Sequence, residues 1–181
     1  MLGAARWNRF CLLPLDAGYG DTMSLSLSSP SFDPGGSIPT RCTGEGTDES
    51  PPLSWEGAPD RTKAFALIVD DPDAPDPAAP KRTWVHWVVS DLPASAAALP
   101  AGASGKSMPA GSHEGKNDGG DMGYSGPYPP RGRHRYVFKL YALDEPTGLH
   151  EGHTKTELLK AIEGHVLDQA ELIGTYERQP K

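Results

Sequence analysis

Short apolar runs bounded by Gly, Pro, Ser and Asp recur along most of the chain, and helical periodicity is confined to its last third. Ser24–Ser28 alternates with period two, which turns Leu25 and Leu27 to one buried face before Pro30 ends the run. Pro51-Pro52-Leu53-Ser54-Trp55 reads as an edge strand, because proline has no amide to give a central ladder. Ala64–Val69 and Trp84–Ser90 are denser runs, suited to strands buried on both faces. Arg135–Leu143 alternates Tyr136, Phe138 and Leu140 against Val137, Lys139 and Tyr141, a third strong strand.

Between Pro93 and Gly123 no period holds, and the segment reads as a long surface excursion that can fold over a site. Thr154-Lys155-Thr156-Glu157 has capping-box form and predicts a helix start. Leu158, Leu159 and Ile162 are expected on its buried face, with Gly164 near its end. Ala170–Glu177 then places Ala170, Leu172 and Tyr176 on one side of a closing strand, with helix left open by its Ala and Glu content. The chain is mostly β.

Length and charge narrow the function classes. The 181 residues fit one domain, expected over 23–181. Residues 1–22 precede the first clean strand pattern and read as a disordered extension or an over-called start. No apolar run approaches the roughly 18 residues of a membrane span, and the net charge of -7 opposes nonspecific attraction to nucleic acid or anionic membranes. Arg6 and Arg9 precede Phe10–Leu15, but Asp16 cuts that stretch short of a secretory core. Cys11 and Cys42 are too few for a disulfide framework, so the cytoplasm is the expected compartment.

Candidate chemistry gathers at three places. Asp71 and Asp73 leave a strand beside Pro72 and Pro75, whose fixed φ gives the carboxylates a rigid direction. The same segment also suits a turn in which Asp caps its own backbone, and Ala74-Pro75 suits a cis bond. His86 lies mid-run, on the face of Trp84 and Val88 by strict alternation, where a hydrogen-bonded core role competes with a functional one. His134 and Tyr136 share a strand face after a stiff proline loop whose Gly126 amide can meet an anion. Two His and two Asp raise the question of a metal, but no compact two-His spacing appears. A nucleophile elbow, a P-loop and a dinucleotide Gly fingerprint are all missing from the sequence. His113, His150, His153 and His165 read as surface or cap residues.

These segments resemble the phosphatidylethanolamine-binding protein family, in its bacterial Raf-kinase-inhibitor-like branch. The resemblance runs through SPPLSW at 50–55, DPDAP at 71–75, WVHWVV at 84–89, KND at 116–118, GPYPPRGRHRY at 126–136, LYALD at 140–144 and GHVLDQAELIGTYER at 164–178. Several long motifs in order cover nearly everything from Met23 onward. The resemblance implies an antiparallel β-sandwich with small flanking helices and a shallow anion pocket at one end. It places ligand contacts on Asp71, Trp84, His86, His134 and Tyr136, with Gly126 and Pro127 shaping the rim and Asp73 supporting from behind. Bacterial relatives commonly carry a smaller residue or Cys where this chain has Tyr128, which is expected to narrow the mouth.

The function expected is a binding protein for small anionic, phosphate-like or headgroup-like ligands, without a cofactor, that can modulate a protein partner such as a kinase. Asp71 is read as orienting a His and supporting its charged form. The alternative is an enzyme using Asp71 with His86 or His134 as an acid-base set on a phosphate ester. Nucleic-acid binding and stable membrane insertion are not expected, whereas a homodimer is, through open sheet edges.

Overall fold

A computed structural model describes residues 24–178. The extension expected over 1–22 lies outside the described residues, as do Cys11 and Met23. The described chain runs β1 (Ser26–Ser28), β2 (Leu53–Glu56), β3 (Ala64–Asp71), β4 (Trp84–Pro93), β5 (Ala98–Leu99), β6 (His113–Glu114), β7 (Arg133–Leu143), α1 (Lys155–Ala161) and β8 (Val166–Glu177). Two antiparallel sheets face each other: a small one in the order β1-β2-β5 and a large one in the order β6-β4-β3-β7-β8.

The mostly β architecture follows from where the apolar residues can go. Period-two faces from both sheets close one core, in which Leu27 and Trp55 of the small sheet meet Phe65, Leu67, Trp87 and Phe138 of the large one. Trp55 and Phe65 pack edge to face at 5.6 Å between ring centroids, a geometry their quadrupoles favour. All eight residues of β3 are buried, because its second face is covered too. Ala66, Ile68, Val85 and Val88 form a separate cluster beneath Leu158 of α1 and Ile162 at its C-cap. The dense runs at 64–69 and 84–90 therefore are double-sided strands, as their composition predicts.

Several expectations change. Pro51 and Pro52 precede β2 instead of lying in it, so β2 is the centre of its sheet and not an edge. Thr154 and Glu157 form the reciprocal capping box, but Leu159 is exposed while Leu158 and Ile162 are buried, since a seven-residue helix turns too little face inward. The segment 93–123 is anchored instead of lying free on the surface. Glu114 is buried in it and accepts from Trp87 Nε1 at 2.7 Å, Ser104 Oγ at 2.6 Å and Gly105 N at 2.7 Å. His153 lies beside the Thr154 cap but is buried, donating from Nδ1 to His150 O at 2.9 Å. The closing element is strand, paired with β7 from Arg133↔Glu177 to Leu143↔Val166.

The outer edge of β8 is covered around Ile173–Thr175 by the segment 35–38. Gly35 N donates to Ile173 O at 2.7 Å, Ile38 N to Thr175 O at 2.8 Å, and Thr175 N to Gly36 O at 2.8 Å. Gly174 makes that cover fit: a Cβ there would lie 2.6 Å from Ile38 Cγ1 and 2.8 Å from Phe32 Cε2. Both neighbours are buried and cannot withdraw into solvent. Gly174→Ala is expected to lose about 1–3 kcal/mol by overpacking, read from urea denaturation. An unchanged midpoint and slope would show that the 32–38 segment yields freely.

Candidate functional site

A register slip positions His86. Val69 pairs with Trp87 but Asp70 pairs with Val85, so His86 is the extra residue of a β-bulge. The bulge resets the alternation. Trp87 and Val89 stay in the inter-sheet core, Val85 and Val88 turn to the α1 side, and His86 rests edge-on against Tyr136 with ring centroids 5.1 Å apart. Strict alternation placed Val88 on the face of His86, and the bulge separates them, as such insertions do when they re-aim a side chain. Ser125 then holds both the backbone and the ring of His86: its amide donates to His86 O at 2.9 Å, and its carbonyl accepts from His86 Nδ1 at 2.5 Å. A carbonyl can only accept, so Nδ1 carries a proton; Nε2 has no hydrogen-bond partner among the described residues. Burial depresses the His86 pKa, and the Ser125 contact and the carboxylates of Asp71, Asp70 and Asp48 only partly oppose it.

The Asp-Pro segment forms the other wall. Asp71 Oδ1 accepts from Asp73 N at 2.8 Å, so the backbone-capping turn is present, and the Ala74-Pro75 bond is cis. Asp71 Oδ2 lies 2.7 Å from His134 Nδ1, while His134 Nε2 donates to Arg131 O at 2.9 Å. The first contact needs a proton between its atoms and the second needs one on Nε2, so Asp71 and His134 together hold two protons. His134 is fully buried. Asp73 carries a bidentate pair with Arg135, at 2.7 and 3.0 Å, and accepts from the Arg135 amide at 2.9 Å. The guanidinium bonds hold the Asp73 pKa below the usual carboxylate range.

These elements enclose a cavity of about 540 Å³ at one end of the sandwich. Asp71, Trp84, His86, Gly126, Tyr128 and Tyr136 line it, with Pro75, Pro129 and Pro130 as apolar walls. His134, Pro127 and Asp73 are not on its surface; His134 and Asp73 hold Asp71 through its two carboxylate oxygens. The Gly126 amide is engaged, donating to Asp48 Oδ1 at 2.7 Å. A Cβ on Gly126 would sit 2.4 Å from that oxygen and 2.5 Å from Cys42 O, so only glycine allows the loop to close there. Tyr128 packs on Gly44 and under the Arg178 guanidinium at 4.1 Å, half exposed at the mouth.

Tyr136 is 1% exposed, and its hydroxyl has no hydrogen-bond partner among the described residues. Burial, reinforced by Asp71 and Asp73, raises its pKa far above the ordinary phenol value, so the group stays a donor. Chemically the floor offers that phenol beside the unpartnered imidazole nitrogen of His86. Among the described residues no group of three or more His, Cys, Asp or Glu side chains is placed to hold a metal ion. Sequence reading passed over Ser125, which orients His86, and the rim cations Lys81 and Arg82. Only Arg82 left a trace, two residues before Trp84, whose ring it covers at 4.2 Å.

An antiparallel sandwich with a pocket of loops and strand ends at one pole is a ligand-binding architecture. The sequence model described as phosphatidylethanolamine-binding protein matches residues 28–177, and the chain belongs to that family. The UPF0098 protein of Methanothermobacter thermautotrophicus is 46% identical over 156 residues, covering 85% of this chain and 99% of its own. The crystal structure of the family homologue CT736 from Chlamydia trachomatis superposes with a TM-score of 0.79 at 38% identity, covering 87% of this chain and 99% of its own. Escherichia coli YbcL, described as a member of the mammalian family, gives 0.78 at 32% identity, covering 86% and 99%.

The Asp71–His134 contact ties β3 to the start of β7 with little solvent to replace it. Asp71→Ala is expected to cost about 3–5 kcal/mol, the range for leaving one member of a buried pair uncompensated. Chemical denaturation measures it, and a loss below about 1 kcal/mol, the ceiling typical of exposed pairs, would contradict the role.

Proposed function

We propose that the chain is a binding protein for small anionic ligands of the phosphate or phosphodiester kind, held on the floor by His86 Nε2 and the Tyr136 hydroxyl. The observation that carries this reading is the Tyr136 phenol, buried without a partner on a cavity wall. An unsatisfied buried donor costs roughly 1–3 kcal/mol, and a ligand oxygen would remove that cost. The family description adds support, since phosphatidylethanolamine carries a phosphodiester. Apolar walls at Trp84 and the prolines suit a hydrocarbon portion behind the anion.

Catalysis is the weaker reading. The bare Nε2 of His86 favours it as a base, but both oxygens of Asp71 are already engaged, by the Asp73 amide and by His134. Saturable binding of phosphate esters with no product formed supports binding alone, and turnover abolished in His86→Ala would reverse the order.

The pH dependence follows from His86. In the free protein its pKa lies below the ordinary imidazole value, so near neutrality Nε2 is a lone pair and must gain a proton to donate. Anion binding then draws a proton in, and affinity falls as pH rises between about 5 and 8, by at most tenfold per unit for one linked proton. Sulfate keeps a constant charge over this range and isolates the protein's part. Calorimetric titration should show the fall in the native protein and a flat profile in His86→Ala; a flat native profile would refute the role of Nε2.

Tyr136→Phe separates function from folding. It removes the unsatisfied hydroxyl, so the ligand-free protein should be as stable as the native one or more so. Affinity should fall at least about tenfold, because a hydrogen bond to a charged group contributes roughly 1.5–3 kcal/mol. Thermal melts with and without phosphate test both parts, and undiminished phosphate binding would sink the assignment.

A further inference from the structure

The cavity continues past its mouth. A second depression of about 370 Å³ adjoins it and shares Pro75, Lys81 and Pro130, so the two form one groove. The first half is walled by aromatic rings and prolines; the second adds Asp76, Ala79 and Arg131. The charges of this second half are out of balance. Lys81 stands at the junction of the two halves, and its ammonium has no partner among the described residues. Arg131 is 81% exposed and reaches Asp76 only at 3.7 Å, while the other oxygen of Asp76 already accepts from Ala78 N at 2.9 Å. An exposed pair of that length holds the guanidinium weakly.

Both cations project from fixed backbone. The Lys81 amide donates to Ala74 O at 2.9 Å, and Arg131 O accepts from the buried His134. Two anchored cations against one partly engaged carboxylate, in a chain of net charge -7, make a local positive site that the overall composition hides. Pro75 and Pro130 separate it from the His86–Tyr136 floor with apolar rings and, lacking an amide N–H, offer no backbone donor to an anionic linker.

We propose that the groove is bipartite and selects small molecules with two separated anionic groups joined by a short hydrocarbon spacer, such as a bisphosphate or a phosphorylated carboxylic acid. One anion sits on the floor; the other lies in the side groove between Lys81 and Arg131. This rests on the anion-binding reading of the floor and adds a second contact to it. Lys81, shared by both halves, senses the ligand's middle and end and makes Arg131 the residue that distinguishes two charges from one.

The test compares α,ω-alkanediol bisphosphates of increasing chain length with alkyl monophosphates of the same length, by calorimetry with native protein at low salt. One spacer length is expected to give the bisphosphate at least a fivefold tighter Kd, beyond the twofold statistical gain from having two ends. That advantage should shrink to the statistical twofold in Lys81→Ala/Arg131→Ala and largely survive in Arg131→Lys. Arg131→Ala keeps the carbonyl that accepts from His134, so the buried pair is not disturbed. Monophosphates binding with no bisphosphate advantage at any length, or an advantage that persists in the double variant, would overturn the bipartite groove alone. No binding of either series would overturn the floor reading, and this proposal with it.

Discussion

Asp71 and His134 meet at 2.7 Å in the buried end of the sandwich, and the chemistry of the pocket follows from how completely that contact uses them. One Asp71 oxygen caps the Asp73 amide and the other faces His134, whose second nitrogen is held by the Arg131 carbonyl. The pair closes β3, the Asp-Pro turn and the start of β7 into one rigid corner. It also removes His134 from the cavity. Beside the engaged Asp71, the floor then offers a ligand two groups with no partner among the described residues, the Nε2 of His86 and the buried phenol of Tyr136.

The second constraint is the bulge at His86. Without the slip between Val69 and Asp70, the imidazole would lie under α1 among Val88 and Ile68. With it, the ring is turned to Tyr136 and locked by Ser125, so its tautomer is set before any ligand arrives. The buried Tyr136 hydroxyl, left wanting a partner, is a cost to folding that a well-packed sandwich can carry. The proposed anion relieves it, which is why stability and affinity are expected to diverge at Tyr136.

Much of this was legible in the sequence. The double-sided burial of β3 and β4 shows in their unbroken apolar runs, and the capping box of α1 is written in Thr154 and Glu157. Motif order pointed to the family and brought Asp71, His86 and Tyr136 to one cavity. What stayed hidden depends on contacts between distant segments. Strict period-two counting cannot show a bulge, so Val88 was placed with His86. A ring with both nitrogens bonded inside the protein looks, in sequence, the same as one facing a ligand, so His134 read as a contact. Glu114 and the engaged Gly126 amide escaped notice because their partners, Trp87 and Asp48, lie on other loops and strands. Leu159 fits the helical period but not a helix of seven residues.

Which groups an anion touches decides how the pocket works. A crystal structure of the protein soaked in phosphate is expected to show an oxygen within hydrogen-bond distance of both His86 Nε2 and the Tyr136 hydroxyl. The Asp71–His134 contact should remain intact behind it. Phosphate bonded to His134 with that pair opened, or a cavity without phosphate at concentrations that saturate binding in solution, would contradict it.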